Sequence, residues 1–263
     1  MPTSLDIEKP AALVAYLRAA GRIAPDETPN VQILEGGVSN RTVLLRRPGG
    51  EAWVLKQALE RLRVAVEWVS DPRRIQREAL GMRHLGELIP GAVPRLIFED
   101  SEHHLLAMEA VPEPHENWKR LLLAGLVSTE HVREFGRMLA GIHGGAWRRR
   151  ERLATIFADT AWFESLRIEP YYTYAASQVP AARPFLDRLV ADTRARRLTL
   201  VHGDYSPKNI LVHDGRLVLL DHEVIHWGDP AFDLGFALTH LLSKAHHLPG
   251  QRAALSQAAV EFW

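Results

Sequence analysis

Five short apolar runs in the first 110 residues have the length and composition of β-strands. They lie at residues 31–35, 42–46, 51–57, 95–99 and 104–109. Two adjacent glycines follow the first run, and a Pro-Gly-Gly sequence follows the second. Alternation of apolar and polar positions is typical of strands with one face on a hydrophobic core. The pattern predicts a five-stranded antiparallel sheet.

Elsewhere in the chain, apolar positions recur every three or four residues, which is the spacing of amphipathic helices. Segments with this spacing lie at residues 6–20, 70–88, 118–124, 130–143, 234–246 and 251–263. Most of them follow the predicted strands. We therefore expect an α+β fold in two parts, with the sheet in residues 1–110 and a larger, mostly helical part in residues 111–263.

A β-hairpin is predicted within the helical part. Residues 210–212 and 217–220 are β-prone runs, and Asp214-Gly215 between them favours a tight turn. A hairpin of this length brings both of its ends to one edge of a sheet.

Polar side chains lie at both ends of this hairpin. Asn209 precedes it, Asp221 follows it, and Asp204 lies five residues before Asn209. Carboxylate and amide oxygens that converge on rigid supports suit a hard cation that carries phosphate. The spacing predicts a phosphotransfer site.

Three motifs carry this prediction: His202-Gly-Asp204-Tyr-Ser-Pro-Lys-Asn209, Asp221-His-Glu223 and Gly228-Asp-Pro-Ala-Phe-Asp233-Leu. The offset from the first Asp to Asn matches that of the catalytic loop of protein kinases. By these motifs the chain resembles the aminoglycoside phosphotransferase and choline kinase family, which are small-molecule kinases. The resemblance runs from about residue 31 to about residue 242. It implies a bilobal protein-kinase-like fold, with residues 1–110 as the nucleotide-binding lobe and residues 111–263 as the catalytic and acceptor-binding lobe.

The resemblance also implies roles for single side chains. Asp204 is expected to act as the base toward a hydroxyl group of a small-molecule acceptor. Asn209 and Asp221 are expected to bind Mg²⁺ together with ATP or GTP, and Glu223 is a candidate ligand for a second Mg²⁺. Asp233 is expected to tie down the catalytic loop.

The motifs depart from those of protein kinases in two places. Asp221 and Asp233 are only twelve positions apart, which leaves no room for an activation segment that would bind a peptide. A small-molecule acceptor is therefore favoured. Protein kinases also have a lysine two residues after the base, where this chain has Ser206, so a γ-phosphate contact from Lys208 is left open.

The candidate nucleotide-binding residues lie in the predicted sheet lobe and at its end. They are Gly36, Gly37, Ser39 and Asn40 in a turn, Lys56 on a strand, Glu78 on the next helix, and Glu109 and Val111 after the last strand. Glycines let backbone N–H groups approach phosphate, although a plain hairpin turn has the same composition. The resemblance implies that the lysine holds the α- and β-phosphates and pairs with the helix glutamate, whereas solvated side chains are the alternative. It also implies that backbone groups of the last two residues bond the adenine edge.

Composition bears on the partners. The formal net charge of the 263 residues is zero, so no overall field favours nucleic acid or a membrane surface. No run approaches the roughly 20 apolar residues that span a bilayer. The chain contains no cysteine, which fits a cytoplasmic protein.

The stretch 144–200 contains aromatic residues that either line an acceptor pocket or belong to the core. Its ten arginines and six acidic residues leave four positive charges in excess. A polycationic acceptor should meet acidic walls, so such an acceptor fits this stretch poorly.

Two other classes of function are open at this point. The chain could be an inactive nucleotide-binding module that regulates a partner, although such a module would be expected to have lost base or metal ligands. It could also be a metallohydrolase that uses His202, Asp204, Asp221, His222 and His226, although such an enzyme would not need the glycine turn.

Overall fold

The computed structural model describes residues 5–34, 37–65 and 68–263. The chain forms two compact units, the first made of residues 1–80 and 95–110 and the second of residues 81–94 and 111–263. Among the helices of the described ranges, none combines the length and apolar character that crossing a membrane requires.

The first unit is built on a five-stranded sheet. Its strands are β1 Asn30–Ile33, β2 Asn40–Arg46, β3 Ala52–Ala58, β4 Leu96–Asp100 and β5 Leu105–Glu109. They lie in the order β1-β2-β3-β5-β4, and all neighbouring pairs are antiparallel. The predicted five-stranded antiparallel sheet is confirmed, with strand ends that differ by one or two residues.

Helix α1 (Pro10–Ala19) contributes to the core of this unit. Proline suits the first turn of a helix because the N–H that it lacks would have no partner there. Leu13 and Leu17 are fully buried in one cluster with Leu45 of β2 and Leu55 of β3. The alternate positions of the strands are less buried, as the period-two pattern requires.

Helix α2 (Arg74–Leu88) begins four residues later than the sequence pattern predicts. The carboxylate of Asp71 accepts a hydrogen bond from the N–H of Arg73 at 2.9 Å and forms an ion pair with its guanidinium. The bond to Arg73 is that of a helix N-cap. The N–H groups of Arg74 and Ile75 donate to carbonyl oxygens three residues earlier, so the first turn is 3₁₀-like and the α-helix proper follows it.

The second unit is mostly helical. Its helices are α3 Trp118–Leu123, α4 Thr129–Arg148, α5 Arg150–Ile156, α6 Ala161–Phe163, α7 Tyr174–Gln178, α8 Arg183–Ala195, α9 Ala231–His247 and α10 Arg252–Phe262. A π-helical segment, Glu164–Thr173, joins α6 to α7. In the core, Phe135 of α4 stacks on Tyr205 with ring centroids 4.3 Å apart and contacts Trp118 edge-on at 4.9 Å. The predicted α+β class is confirmed.

Short strands complete the second unit. They are β6 Glu116–Asn117, β7 Thr199–Val201, β8 Ile210–His213, β9 Arg216–Leu219 and β10 His226–Gly228. β8 and β9 form the predicted hairpin, β6 pairs with β8, and β10 pairs with β7. Asp214 and Gly215 both have positive φ, 48° and 74°, as a tight hairpin turn of type I′ requires.

The aromatic residues of the stretch 144–200 divide between core and surface. Phe163 is buried with Phe232, and Tyr172 packs against the same cluster. Trp147, Tyr171 and Tyr174 are about half exposed, with 54%, 48% and 55% of their surface accessible. Part of the set is therefore structural, and part is available to a ligand.

Gly203 follows β7 in a conformation that other residues adopt at a cost, with a φ of 78°. A Cβ atom added there would lie 2.9 Å from Cγ2 of Val224 and 3.2 Å from its carbonyl oxygen. Gly215 has nearly the same φ, but a Cβ atom added there would meet open space. The two glycines separate the cost of the backbone angle from the cost of crowding.

We expect Gly215→Ala to lower the free energy of unfolding by about 1 kcal/mol, which is the cost of the left-handed conformation. Gly203→Ala adds a steric clash in a buried loop, so we expect a further loss of about 1–3 kcal/mol. Urea denaturation of both variants and the parent measures the difference. Equal losses would mean that the contact with Val224 relaxes without cost.

Candidate active site

The loop after β7 carries Asp204 and leads directly into the β8–β9 hairpin. Asn209 ends a short 3₁₀ turn, and its Nδ2 donates to the Asp204 carbonyl oxygen at 3.0 Å. Across the neck of the hairpin, the N–H of Leu220 donates to the carbonyl oxygen of Asn209 at 2.9 Å, and Asp221 is the next residue. Asn209 thus fastens the loop to the hairpin and brings the three predicted site residues to one end of it.

The side chains at this end fit a hard cation. Because Nδ2 of Asn209 donates to Asp204, its Oδ1 is the acceptor that a cation could use, as the hydrogen-bond network dictates. Asp221 lies beside it, and Glu223, which is 4% exposed, follows two residues later. A donor set of amide and carboxylate oxygens suits Mg²⁺.

The backbone of Asp221 is in the left-handed region, with a φ of 68°. This conformation costs roughly 1 kcal/mol in a residue other than glycine, and Asp and Asn tolerate it best. Backbone strain of this kind is concentrated at functional sites. The strain lies at the residue that the sequence nominates as a metal ligand.

Asp233, at the start of α9, fixes the loop before Asp204. Its Oδ2 accepts from the N–H of His202 and its Oδ1 from the N–H of Gly203, both at 2.8 Å. Nε2 of His143 also lies 3.0 Å from Oδ2. Burial acts to raise the pKa of Asp233, but the hydrogen bond with His143 and the nearby imidazole and N–H groups outweigh it, so the pKa lies below the ordinary 3.8. The expected tie between this carboxylate and the loop is present.

The buried imidazoles of the loop bond to one another and to the backbone. Nδ1 of His202 accepts from the N–H of Asp204 at 3.2 Å, so its Nε2 carries the proton and donates to Nδ1 of His222 at 3.1 Å. Burial lowers the pKa of His202, which keeps the ring neutral. His226 stacks on Phe163 with ring centroids 4.0 Å apart. These contacts give the histidines structural roles and weaken the metallohydrolase alternative.

Arg167, in the π-helical segment, is a site residue that the sequence reasoning missed. Its side chain is 7% exposed, and Nε donates to the carbonyl oxygen of Gly203 at 2.9 Å. One terminal nitrogen lies 2.9 Å from Oδ2 of Asp204. Burial acts to lower the pKa of Arg167, but Asp204, together with Tyr171, Glu223 and Asp221, raises it. Arg167 therefore lies where the predicted carboxylates converge.

Lys208 fills the position that the sequence left open. Its Nζ lies 2.9 Å from Oδ2 of Asp204, and half of its side chain is exposed. Burial acts to lower the pKa of Lys208, but the charges of Asp204 and Asp221 raise it. A lysine four residues after Asp204 thus reaches the same carboxylate from the hairpin side.

In the first unit, Lys56 of β3 and Glu78 of α2 form the predicted ion pair. Nζ lies 2.6 Å from Oε1, and the two side chains are 12% and 1% exposed. Such burial rules out the alternative of two solvated side chains. Burying such a pair costs desolvation free energy, so the pair is weak evidence for stability. It is better evidence that the protein holds the ammonium group at a fixed position.

The predicted glycine turn is partly described. Gly36 lies outside the described residues, Gly37 and Ser39 lie between β1 and β2, and Asn40 is the first residue of β2. The carbonyl oxygen of Ser39 accepts from the N–H of Leu59 at 3.0 Å and from the guanidinium of Arg74. These bonds hold the end of the turn against α2 and the segment after β3.

Glu109 and Val111 lie on either side of the boundary between the units. The N–H of Glu109 donates to the carbonyl oxygen of Arg95 at 2.9 Å, and the two side chains form an ion pair. The N–H of Glu109 is therefore engaged in the sheet, which leaves its carbonyl oxygen as the group it could offer to a base. Val111 is the first residue of the second unit after the strand.

Three lysines lie within electrostatic range of His240 in α9, and we call Lys119, Lys208 and Lys244 the cationic cluster. Burial, followed by the charge of Lys244, lowers the pKa of His240 to about 4. The charges of Lys208 and Lys119 act in the same direction, and Asp204 acts against them. His240 is thus neutral at pH 7, and Asp204 shares this environment with the lysines.

Lys244 is the most buried member of the cationic cluster, at 6% exposure. Its Nζ donates to the carbonyl oxygen of His240 at 3.0 Å, and within the described ranges no carboxylate forms an ion pair with it. Burial and the charge of Lys119 lower its pKa to about 8. Lys244 is therefore charged at pH 7 and lacks a protein counter-ion in the part of the chain that the structure describes.

A profile of the phosphotransferase enzyme family matches residues 30–260 of the chain, which is most of its length. The chain belongs to the phosphotransferase enzyme family. This membership confirms the resemblance drawn from the three motifs, and with it the prediction of a small-molecule kinase that phosphorylates a hydroxyl group.

The relatives of this phosphotransferase include methylthioribose kinases. The methylthioribose kinase of Pectobacterium atrosepticum is 26% identical over 276 residues, which are 94% of this chain and 68% of the relative. The methylthioribose kinase of Klebsiella pneumoniae is 27% identical over 279 residues, with the same shares covered.

Solved structures of similar fold include two further kinds of kinase. Macrolide 2'-phosphotransferase MphH from Brachybacterium faecium has a TM-score of 0.56 and 22% identity, and the match covers 94% of this chain and 82% of that one. Choline kinase LicA from Streptococcus pneumoniae has a TM-score of 0.54 and 17% identity, with 93% and 79% covered. At these identities the likeness shows the fold, and it confirms the prediction of a protein-kinase-like architecture.

In this phosphotransferase we expect Asp233→Asn to lower the free energy of unfolding by about 2–4 kcal/mol, because the amide turns one N–H group toward a buried donor. Asp229→Asn is the control, since Asp229 accepts a bond from the N–H of Ala231 that an Asn can keep, and it loses only a long 3.7 Å ion pair with exposed Arg196.

Urea denaturation at pH 7 measures both changes. The pKa of Asp233 is depressed, so its stabilisation is present above the ordinary value of 3.8 and is lost as pH falls through the folded value. The gap between Asp233→Asn and the parent should therefore narrow below about pH 4. A gap that is absent at pH 7 would contradict the assigned hydrogen bonds.

Proposed function

We propose that the chain transfers the γ-phosphoryl group of ATP or GTP to a hydroxyl group of a small molecule, with Asp204 as the base. The observation that carries this proposal is the state of the Asp204 carboxylate. The residue is 1% exposed, and neither carboxylate oxygen accepts a hydrogen bond of good geometry from the described residues, although two cations form ion pairs with Oδ2. A buried carboxylate oxygen without a donor is costly, and a substrate hydroxyl would supply the missing donor.

The surroundings of Asp204 support an orienting role. Arg167 and Lys208 both approach Oδ2, so Oδ1 is the oxygen left for the acceptor. In the proposed step, the acceptor oxygen bonds to the γ-phosphorus, the bond from phosphorus to the leaving nucleoside diphosphate breaks, and the hydroxyl proton passes to Oδ1. General base catalysis by a positioned carboxylate contributes roughly 10²–10⁴-fold to the rate.

Asn209 and Asp221 would hold Mg²⁺ in this proposal, and Glu223 would hold a second ion. When bound, the metal neutralises charge on the phosphates and aligns them for transfer. The protein holds Asn209 by the bond to the Asp204 carbonyl oxygen, so the amide oxygen and the base keep a fixed separation. Half-exposed Lys208 would contact the γ-phosphate. Protein kinases make this contact with a lysine at the position that Ser206 occupies here.

The nucleotide would contact the first unit through the residues that the sequence nominated. Lys56, held by Glu78, would bond the α- and β-phosphates, and backbone N–H groups around Gly37 with the hydroxyl of Ser39 would cover them. The carbonyl oxygen of Glu109 and the backbone of Val111 would bond the base. Structural neighbours of this fold include one in complex with AMP and one in a ternary complex with ATP and streptomycin.

An inactive nucleotide-binding module is the alternative, and the residues present speak against it. A module that had lost catalysis would not need Asp204, Asn209 and Asp221 together, nor the buried arginine beside them. The left-handed backbone at Asp221 is the kind of strain that is concentrated at functional sites.

We expect Asp204→Asn to lower kcat by about 10²–10⁴-fold while nucleotide affinity changes little, because the carboxylate acts only on the acceptor proton. Coupled measurement of ADP release gives kcat, and calorimetry gives the affinity. Asp214→Asn, in the exposed hairpin turn where Asn is well tolerated, is the matched control. Turnover that survives in Asp204→Asn would remove the base assignment.

Asp221→Asn tests the metal site without adding backbone strain, since Asn tolerates the left-handed region as well as Asp. We expect it to weaken nucleotide binding in the presence of Mg²⁺ by about 10-fold or more, and to leave binding in excess EDTA unchanged. Calorimetric titration of ADP under both conditions measures this. Equal dependence on Mg²⁺ in the variant and the parent would exclude Asp221 as a ligand.

A further inference from the structure

Two members of the cationic cluster have no part in the proposed transfer. Lys208 is assigned to the γ-phosphate, and Arg167 holds the Asp204 carboxylate. Lys119 and Lys244 have neither assignment. Asp204 pairs with Lys208, and within the described ranges no carboxylate forms an ion pair with Lys119 or Lys244.

Of these two lysines, Lys244 is buried, so its lack of a counter-ion calls for an explanation. A buried ammonium group is retained at a cost unless it is paired, and replacing it with an apolar side chain of similar length usually costs nothing or stabilises the fold. Among the described residues, the one bond that it donates goes to the carbonyl oxygen of His240 in its own helix. The charge that lowers its pKa is that of Lys119, which is also positive. The last turn of α9 offers the ammonium the negative end of the helix dipole but no carboxylate, so the counter-ion is left to an anion from outside the described chain.

A row of rings links the cationic cluster to the site of transfer. The guanidinium of Arg167 lies 5.9 Å from the ring centroid of Tyr171, and Tyr171 stacks on Phe236 at 6.0 Å. Phe236 in turn contacts His240 at 4.9 Å, one helical turn before Lys244. Tyr171 is 48% exposed, so this row offers a small molecule an apolar wall between the base and the cluster.

We propose that the acceptor carries an anionic group, a carboxylate or a phosphate, that pairs with Lys244 and Lys119 while its hydroxyl group faces Asp204. This inference rests on the proposed function and narrows its substrate class. An anion supplies the counter-ion that the buried ammonium lacks, and charge-assisted hydrogen bonds of this kind are the strong ones. An acceptor with amino groups would instead place like charges together.

Matched polyols test the charge preference. Gluconate, glucitol and glucamine share a carbon chain and hydroxyl groups but carry negative, zero and positive charge, and glycerate, glycerol 3-phosphate and glycerol repeat the test on a shorter chain. We expect kcat/KM for the anionic member of each set to exceed that of the neutral member by about 10- to 100-fold. The carboxylate and phosphate members of the second set separate the two sources of charge.

Lys244→Met should remove this preference. We expect it to raise KM for the anionic acceptors by about 10- to 100-fold, with a change below about 3-fold for the neutral ones and for ATP. Arg252→Gln is the matched control, since it removes one positive charge from the exposed start of α10 in the same unit. A similar loss in Arg252→Gln would mean that only the overall charge matters.

Stability measurements exclude a merely structural role for Lys244. Its folded pKa of about 8 lies below that of a free lysine, so the unfolded chain binds more protons between these values and stability should rise with pH above about 8. Lys244→Met should be at least as stable as the parent at pH 7 and should lack this rise. A large destabilisation together with unchanged acceptor ranking would overturn the proposal.

Binding measurements decide the case in which no polyol is phosphorylated. Calorimetry with the same compounds should then show at least 10-fold tighter binding of the anionic members, and Lys244→Met should abolish that difference. Equal binding of neutral and anionic members would overturn the proposal. Anion preference without any transfer, and without an effect of Asp204→Asn on nucleotide turnover, would instead reject the proposed function and leave the binding site standing.

Discussion

One buried carboxylate holds the loop on which the proposed chemistry depends. Asp233 accepts the N–H groups of His202 and Gly203 with separate oxygens, so the chain direction at the entry to the loop is fixed at two successive peptides. His202 then accepts the N–H of Asp204. Each of these bonds positions the peptide that makes the next one. Through them, the Asp233 carboxylate on α9 fixes the orientation of the proposed base. Without this carboxylate, two buried N–H groups would have no acceptor, which is among the costlier defects a fold can carry.

The two cations beside Asp204 lie closest to the same carboxylate oxygen, Oδ2. Arg167 and Lys208 approach Oδ2 from different elements, and Oδ1 accepts no bond from the described residues. The pairing restrains the carboxylate, so an incoming hydroxyl group meets one acceptor in one place. Positioning of this kind suits phosphoryl transfer, in which alignment and charge compensation matter more than covalent participation.

Local signals in the sequence predicted much of the fold and of the site. The Asp214-Gly215 turn between two β-prone runs predicted the hairpin, and the hairpin predicted that Asn209 and Asp221 meet at its neck. For the hairpin, the spacing along the chain is short enough for elementary geometry to fix the neighbours. The pairing of Lys56 with Glu78 came instead from the family resemblance, which nominated Glu78, and the buried ion pair is present.

Other features depend on contacts that no local pattern encodes. Arg167 is one of ten arginines in the stretch 144–200, and nothing in the sequence distinguishes it from the exposed ones. Its burial follows from a π-helical segment, in which the wider turn places side chains where an α-helical reading would not put them. Lys244 resembles any lysine near the end of a helix, and only the packed structure reveals its missing counter-ion. The late start of α2 reflects a first turn with 3₁₀-type bonds, which apolar spacing along the chain does not distinguish from an α-helix.

The left-handed backbone of Asp221 restricts what this position can hold. A glutamate would keep the negative charge but would bring a longer side chain and a greater backbone penalty, and a glycine would relax the backbone while removing every ligand atom. Asparagine suits the angle but lacks the charge. Aspartate satisfies the chain geometry and the electrostatics together, so each of these replacements at the hairpin exit sacrifices one or the other.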